Sequence, residues 1–139
     1  MVCVALLAFV KGDVNEDVEK FISKVTTNCC EKQGVSVNKM EAIMDKDQLP
    51  ESNNEFLIFY DCLMYGLNMY DENNEVHFEL IEGVFPEYLV KRFGSSLNKE
   101  LINETFAYCN KHKTVSRALE AIRRRNCGLN YIQNKLNQN

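Results

Sequence analysis

Residues 71–82 read DENNEVHFELIE, and the reading of this stretch decides what the rest of the chain must be. Asp71, Asn73 and Glu75 occupy the first, third and fifth positions of a twelve-residue frame. Phe78 takes its apolar eighth position and Glu82 its twelfth. That is the ligand order of a helix–loop–helix calcium site, in which a final bidentate carboxylate closes the cage. The frame breaks at its sixth position, where such a loop turns through a positive φ that suits glycine and where this chain has Val76. A β-branched residue there costs about 1–2 kcal/mol, and no second loop of the kind is present to pair with it. The stretch is therefore read as an acidic turn between two helices, with Asp71 or Asn73 taking backbone hydrogen bonds. No metal and no other cofactor is expected; a calcium-responsive interaction module is the alternative from another class.

The composition agrees with a turn inside a helical domain. At 139 residues, 45% apolar and 26% charged, the chain has the size and balance of one globular domain with one core. Two prolines and six glycines leave little punctuation for many short strands. A net charge of −4 would be repelled by a phosphate backbone, so nucleic acid is not an expected partner. No segment reaches the roughly 20 apolar residues that a membrane-spanning helix needs, so no membrane insertion is expected.

Apolar residues recur at helical spacing and nowhere alternate as in a strand. Val14, Val18, Phe21, Ile22, Val25 and Cys29 form one stripe, stopped by Gly34. Ser36 is a suitable N-cap for a short helix through Met40, Ile43 and Met44. Residues 47–54, DQLPESNN, read as a loop, and Glu55 to about Tyr70 as a helix apolar on several sides. Phe78 to Phe85 makes a short helix ending near Pro86, Leu97 to Cys109 a longer one, and Val115 to Ile122 marks the last. The fold class is all-α, with about six helices in one domain. The closing GLNYIQNKLNQN reads as a polar tail with Tyr131, Ile132 and Leu136 as its apolar handles, either a lid contact or a frayed end.

At the start, MVCVALLAFVKGD carries an apolar run from Val2 to Val10 before small and charged residues. Val10 and Gly12 suit the −3 and −1 positions of a cleavage site, so residues 1–12 are read as a signal peptide clipped at its start and 13–139 as the folded domain. Five cysteines then remain: Cys29, Cys30, Cys62, Cys109 and Cys127. None is spaced for zinc with His77 or His112. In a secreted chain, cysteines this far apart staple helices together.

Three features carry a resemblance: CCEKQGVS at 29–36, FYDCLMYGLNMYDENNEV at 59–76, and the pair Cys109 and Cys127. Together they resemble the insect odorant-binding proteins of the pheromone-binding and general odorant-binding family. The family's second and fifth cysteines, which bond to each other, fall at Ile58 and Ala118 here, so the resemblance is to the four-cysteine, minus-C subclass. It implies the bridges Cys29–Cys62 and Cys109–Cys127. Cys30 is an extra cysteine, and a swapped Cys30–Cys62 pairing stays open, although Cys29 is the one on the apolar stripe. Ile58 against Ala118 would replace the missing bridge by a packing contact free to slide, which predicts a plastic last helix.

The resemblance also implies an internal apolar cavity that binds and solubilises small hydrophobic ligands such as odorants, pheromones or lipid-like molecules. Secretion, a chemosensory receptor as a further partner, and a monomer or weak homodimer come with it. A scavenger of amines or hormones in saliva, venom or reproductive fluid is the related alternative. Its buried acid is not identifiable in the sequence. The expected wall is Phe59, Leu63, Phe78, Ile81, Phe85, Leu89, Phe106, Leu119 and Ile122. Tyr60, Tyr108 or Tyr131 are candidates for a ligand's polar end. No catalytic constellation is recognisable, so no enzyme is expected. Arg123, Arg124 and Arg125 read as a solvated face, and His77 and His112 as candidate acid-sensitive groups. Asn103-Glu104-Thr105 is an N-glycosylation sequon in the middle of a helix.

Overall fold

The computed structural model describes residues 16–75, 87–110 and 116–138. Among them the chain is all-α, as its periodicity predicts: α1 (Glu16–Gln33), α2 (Val37–Met44), α3 (Asn54–Gly66), α4 (Glu87–Phe93), α5 (Lys99–Cys109) and α6 (Arg117–Asn137). A 3-10 turn, Gly94–Ser96, joins α4 to α5. The signal-peptide segment and the helix expected over 78–85 lie outside the described residues, as do His77 and His112. The seven-residue α4 was not among the helices read from the sequence.

Local chemistry sets the helix ends. Side-chain oxygens of Ser36, Asn53, Asn98 and Ser116 each accept the backbone N–H three residues on, at the starts of α2, α3, α5 and α6. Each thereby pairs one of the donors that the first turn of a helix leaves open. α1 stops where Gly34 turns left-handed at φ 73°. The N–H groups of Gly34 and Val35 then both return to the Cys30 carbonyl. At Gly66 a Cβ would stand 2.5 Å from a Val25 methyl, so the glycine is what lets α3 lie close against α1.

Two apolar clusters form. The first gathers Met40, Leu49, Phe56, Phe59, Leu63, Met69 and Ile122, with Phe21, Ile22 and Val25 of α1 packed on it. The second gathers Leu89, Leu97, Ile102, Leu129 and Ile132, with Phe93, Leu101, Phe106 and Leu136. α6 belongs to both: its N-terminal half completes the first and its C-terminal half the second. It therefore does not end at Cys127 as a polar tail. Ile132 is fully buried and the helix runs to Asn137. Gly128 costs the helix about 1 kcal/mol of propensity, which the burial of Leu129 and Ile132 offsets.

The arginine run is not a solvated face. Successive helical residues are turned by about 100°, so three in a row cannot share one exposure. Arg123 is at the surface, against Glu51 at 2.8 Å. The Arg124 side chain is 10% exposed and pairs with Glu120 at 3.0 Å. Arg125 is buried and donates to the Met44 carbonyl at the end of α2 and to the Lys46 and Asp47 carbonyls in the loop beyond it, at 3.1–3.2 Å. Beside it, buried Asn126 accepts the Leu49 N–H at 2.8 Å and donates to the Leu49 carbonyl at 2.9 Å. Residues 44–49 are thus clasped to α6 by their own backbone groups.

The packing contact expected between Ile58 and Ala118 is also corrected. Ala118 is buried, but Ile58 is 60% exposed. α3 and α6 are joined one residue earlier by a polar tie: Arg117 donates to both Asp61 oxygens, at 2.8 and 3.2 Å. Both side chains are about a third exposed, so the tie is worth about 1 kcal/mol or less.

Replacing Asn126 with Ala leaves two buried backbone groups of Leu49 unpaired, at about 1–3 kcal/mol each. Denaturant unfolding of Asn126→Ala is expected to show a loss of about 3 kcal/mol. A loss below about 1 kcal/mol would mean the clasp does not hold the loop.

Candidate ligand site

Two disulfides pin the helices around the apolar clusters. Cys29–Cys62 ties α1 to α3 and Cys109–Cys127 ties the end of α5 to the middle of α6, each with Cα atoms 5.8 Å apart. They close separations of 33 and 18 residues. Loop-closure entropy makes them worth about 4 and 3 kcal/mol respectively. Among the described residues Cys30 is the free cysteine, and it is buried. One step round the helix from Cys29, it points away from the bridge. Burial, with a smaller contribution from the Glu41 carboxylate, pushes its thiol above the ordinary range.

The structure divides the expected wall. Phe59, Leu63 and Ile122 sit together in the first cluster, all buried, next to the tilted rings of Phe56 and Tyr60. Leu89 and Phe106 belong to the second cluster. Leu119 is half-buried on α6 and in neither. Phe78, Ile81 and Phe85 lie outside the described residues. Of the tyrosines, Tyr60 is buried among the first cluster. Tyr108 is 53% exposed and stacks on Tyr131 at 4.6 Å, while Tyr131 donates to Glu104 at 2.6 Å. These last two form an outer-surface pair and do not face the interior. The Glu104 contact raises the Tyr131 phenol and lowers the carboxylate.

A separate groove of about 320 Å³ opens where the acidic turn meets α3 and α6, lined by Tyr65, Gly66, Asn68, Tyr70, Asp71, Asn74 and Arg117. The Arg117 guanidinium lies 4.2 Å above the Tyr70 ring and 5.5 Å from that of Tyr65, while its Nη1 donates to Asn74 at 3.0 Å. Tyr70 donates to Asp61 at 2.8 Å, and burial together with that contact keeps its phenol protonated well beyond the usual range. The Asp61 contact also raises the Arg117 guanidinium. Arg117 had no visible signal in the sequence.

The turn itself is ordered by Asp71. One oxygen of its carboxylate accepts the N–H groups of Asn73 and Glu75, at 2.8 and 3.0 Å, and Asn74 takes the left-handed conformation at φ 61°. This is the hydrogen-bonded acidic turn expected of residues 71–75. Among the described residues no group of three or more His, Cys, Asp or Glu side chains is placed to hold a metal ion.

Amphipathic helices cross-linked by disulfides around apolar clusters define a small stapled binding domain, rigid at its bridges. The model of the PBP/GOBP family matches residues 11–127, and the chain belongs to that family of insect odorant- and pheromone-binding proteins. No curated protein and no solved structure matches it. The family's members are binding proteins, not enzymes.

Cys30 supplies a pH test. The unfolded thiol ionises near pH 8.5 and the buried one higher, so its contribution to stability is fully present below that pH. It is lost as pH rises toward the folded value, because the unfolded chain loses its proton first. In the native protein at pH 7 Cys30 is expected to stay unmodified by iodoacetamide, and to react once the protein is unfolded without reductant. Rapid modification of Cys30 itself, located by peptide mapping, would contradict the burial.

Proposed function

We propose that the chain is a secreted carrier of small hydrophobic molecules, released as a mature domain from Asp13 and belonging to the four-cysteine subclass of its family. The carrying observation is the juxtaposition of Phe59, Leu63 and Ile122 on facing helices of a disulfide-pinned interior, in a chain whose family binds such ligands. The mechanism is burial without chemistry: apolar walls take the ligand's surface out of water at about 25 cal/mol per Å². The bridges spare part of the ordering cost that a looser chain would meet on binding. The paired replacement of two cysteines by Ile58 and Ala118 supports the subclass.

Neutral or weakly polar ligands fit better than amines. The buried acid an amine binder requires is present as Glu120, 4% exposed, but its carboxylate is already engaged by Arg124. An amine would have to displace that cation and leave it buried, which costs several kcal/mol. A monomer or weak homodimer, with a chemosensory receptor as a downstream partner, completes the proposal.

The test is displacement of a fluorescent apolar probe by long-chain alcohols and aldehydes. Saturable binding near ~1 μM, about −8 kcal/mol, is expected. Leu63→Ala should weaken it at least about tenfold, or 1.4 kcal/mol, with the far-ultraviolet circular dichroism unchanged. Absence of saturable binding by the wild type, or an unaltered affinity in Leu63→Ala, would count against the carrier or against this wall.

A further inference from the structure

We propose that Asn103 is an N-glycan acceptor and that it is modified on the unfolded chain, before α5 forms, in competition with closure of the Cys109–Cys127 bridge. The proposal rests on the reading that the chain enters the secretory pathway.

Asn103-Glu104-Thr105 is the one Asn-x-Ser/Thr sequence in the chain. A catalyst that requires both residues must engage the Asn amide and the Thr hydroxyl together. In an extended chain residues i and i+2 present their side chains on the same face. On a helix they are turned about 200° apart, and α5 separates them fully. Asn103 is exposed, in a solvent-facing stripe with Lys99, Glu100, Ala107 and Asn110. Thr105 is 2% exposed on the opposite face, its hydroxyl donating to the Leu101 carbonyl at 2.7 Å. The folded helix cannot present the pair, yet its exposed Asn103 face can carry a bulky group without disturbing the cluster around Ile102 and Leu129.

Chain order supplies the window. α5 spans eleven residues, too few for a stable isolated helix in water. Its buried face is completed by Leu129 and Ile132, and its end is pinned by Cys127, all of which emerge after it. Disulfide formation takes seconds or longer, so the segment remains extended and readable until α6 docks. In the transfer, the Asn103 side-chain nitrogen attacks the anomeric carbon of a lipid-pyrophosphate-linked oligosaccharide. The new C–N bond forms as the C–O bond to pyrophosphate breaks; the amide gives up one proton and the lipid pyrophosphate departs. No oxidant or reductant is needed.

The experiment expresses the full 139-residue chain in insect cells, once with its own N-terminus and once behind a heterologous secretory leader. Cells and medium are both analysed for a mobility shift removed by endoglycosidase. Behind the leader, a fraction of the wild type is expected to shift, none of Asn103→Gln, and a larger fraction of Cys109→Ser/Cys127→Ser. The readout does not require that variant to fold. An unshifted wild type and cysteine variant behind the leader would overturn the site, as would a shift that persists in Asn103→Gln. Equal occupancy with and without the bridge would overturn the competition. Modification behind the leader, with no secretion directed by residues 1–12 alone, supports the site and counts against those twelve residues as a sufficient leader.

Discussion

The burial of α6 on opposite flanks is the constraint on which the rest of the bundle depends. Ala121 and Ile122 complete the first apolar cluster, Leu129 and Ile132 the second, and Cys127 on the other flank is bonded to α5. One helix is thus shared by both clusters. Three of the polar side chains it buries are given partners: Arg125 by the Met44, Lys46 and Asp47 carbonyls, Asn126 by Leu49 and Glu120 by Arg124, whose own Nε is buried without a hydrogen bond. Burying a guanidinium is costly unless its donors are used, and three carbonyl acceptors in one loop use them. The loop is ordered by the arginine and the arginine is made tolerable by the loop.

The bridges act on a different part of the problem. They limit the freedom of the unfolded chain, whereas the clasp and the Gly66 approach define the native packing. Between α3 and α6 the chain has Asp61–Arg117 with Tyr70 beneath the guanidinium. That tie also engages Asn74 in the acidic turn. The described part of the stretch that first resembles a calcium loop, residues 71–75, is therefore tied to α6 through Asn74, with Asp71 engaged by backbone N–H groups.

Much of the fold was legible because its signals are local. Ser36 and Gly34 mark helix ends through hydrogen bonds within a few residues, and the family resemblance implied Cys29–Cys62, with the swapped Cys30–Cys62 pairing left for the structure to decide. What was missed depends on neighbours distant in sequence. Arg125 is a charged letter whose burial is decided by carbonyls some 80 positions away; Arg124, by contrast, pairs with Glu120 only one turn earlier on the same helix. The final turns of α6 read as tail because only Leu129, Ile132 and Leu136 are aliphatic there, and their partners lie on α4 and α5. Seven-residue α4 is too short for periodicity to declare. Ile58 shows the opposite error, an apolar residue assigned a core contact and found exposed. For the ligand site, the stripe offered residue types alone. It had no means of separating Phe59, Leu63 and Ile122 from Leu89 and Phe106.

Native-state amide exchange along α6 tests this account most directly. If the helix is the shared spine, amides from Ile122 to Ile132 exchange only through global unfolding, with free energies equal to that from denaturant melting. Exchange of this segment by local opening, at free energies well below the global value, would contradict it. The two clusters would then stand without the helix proposed to join them.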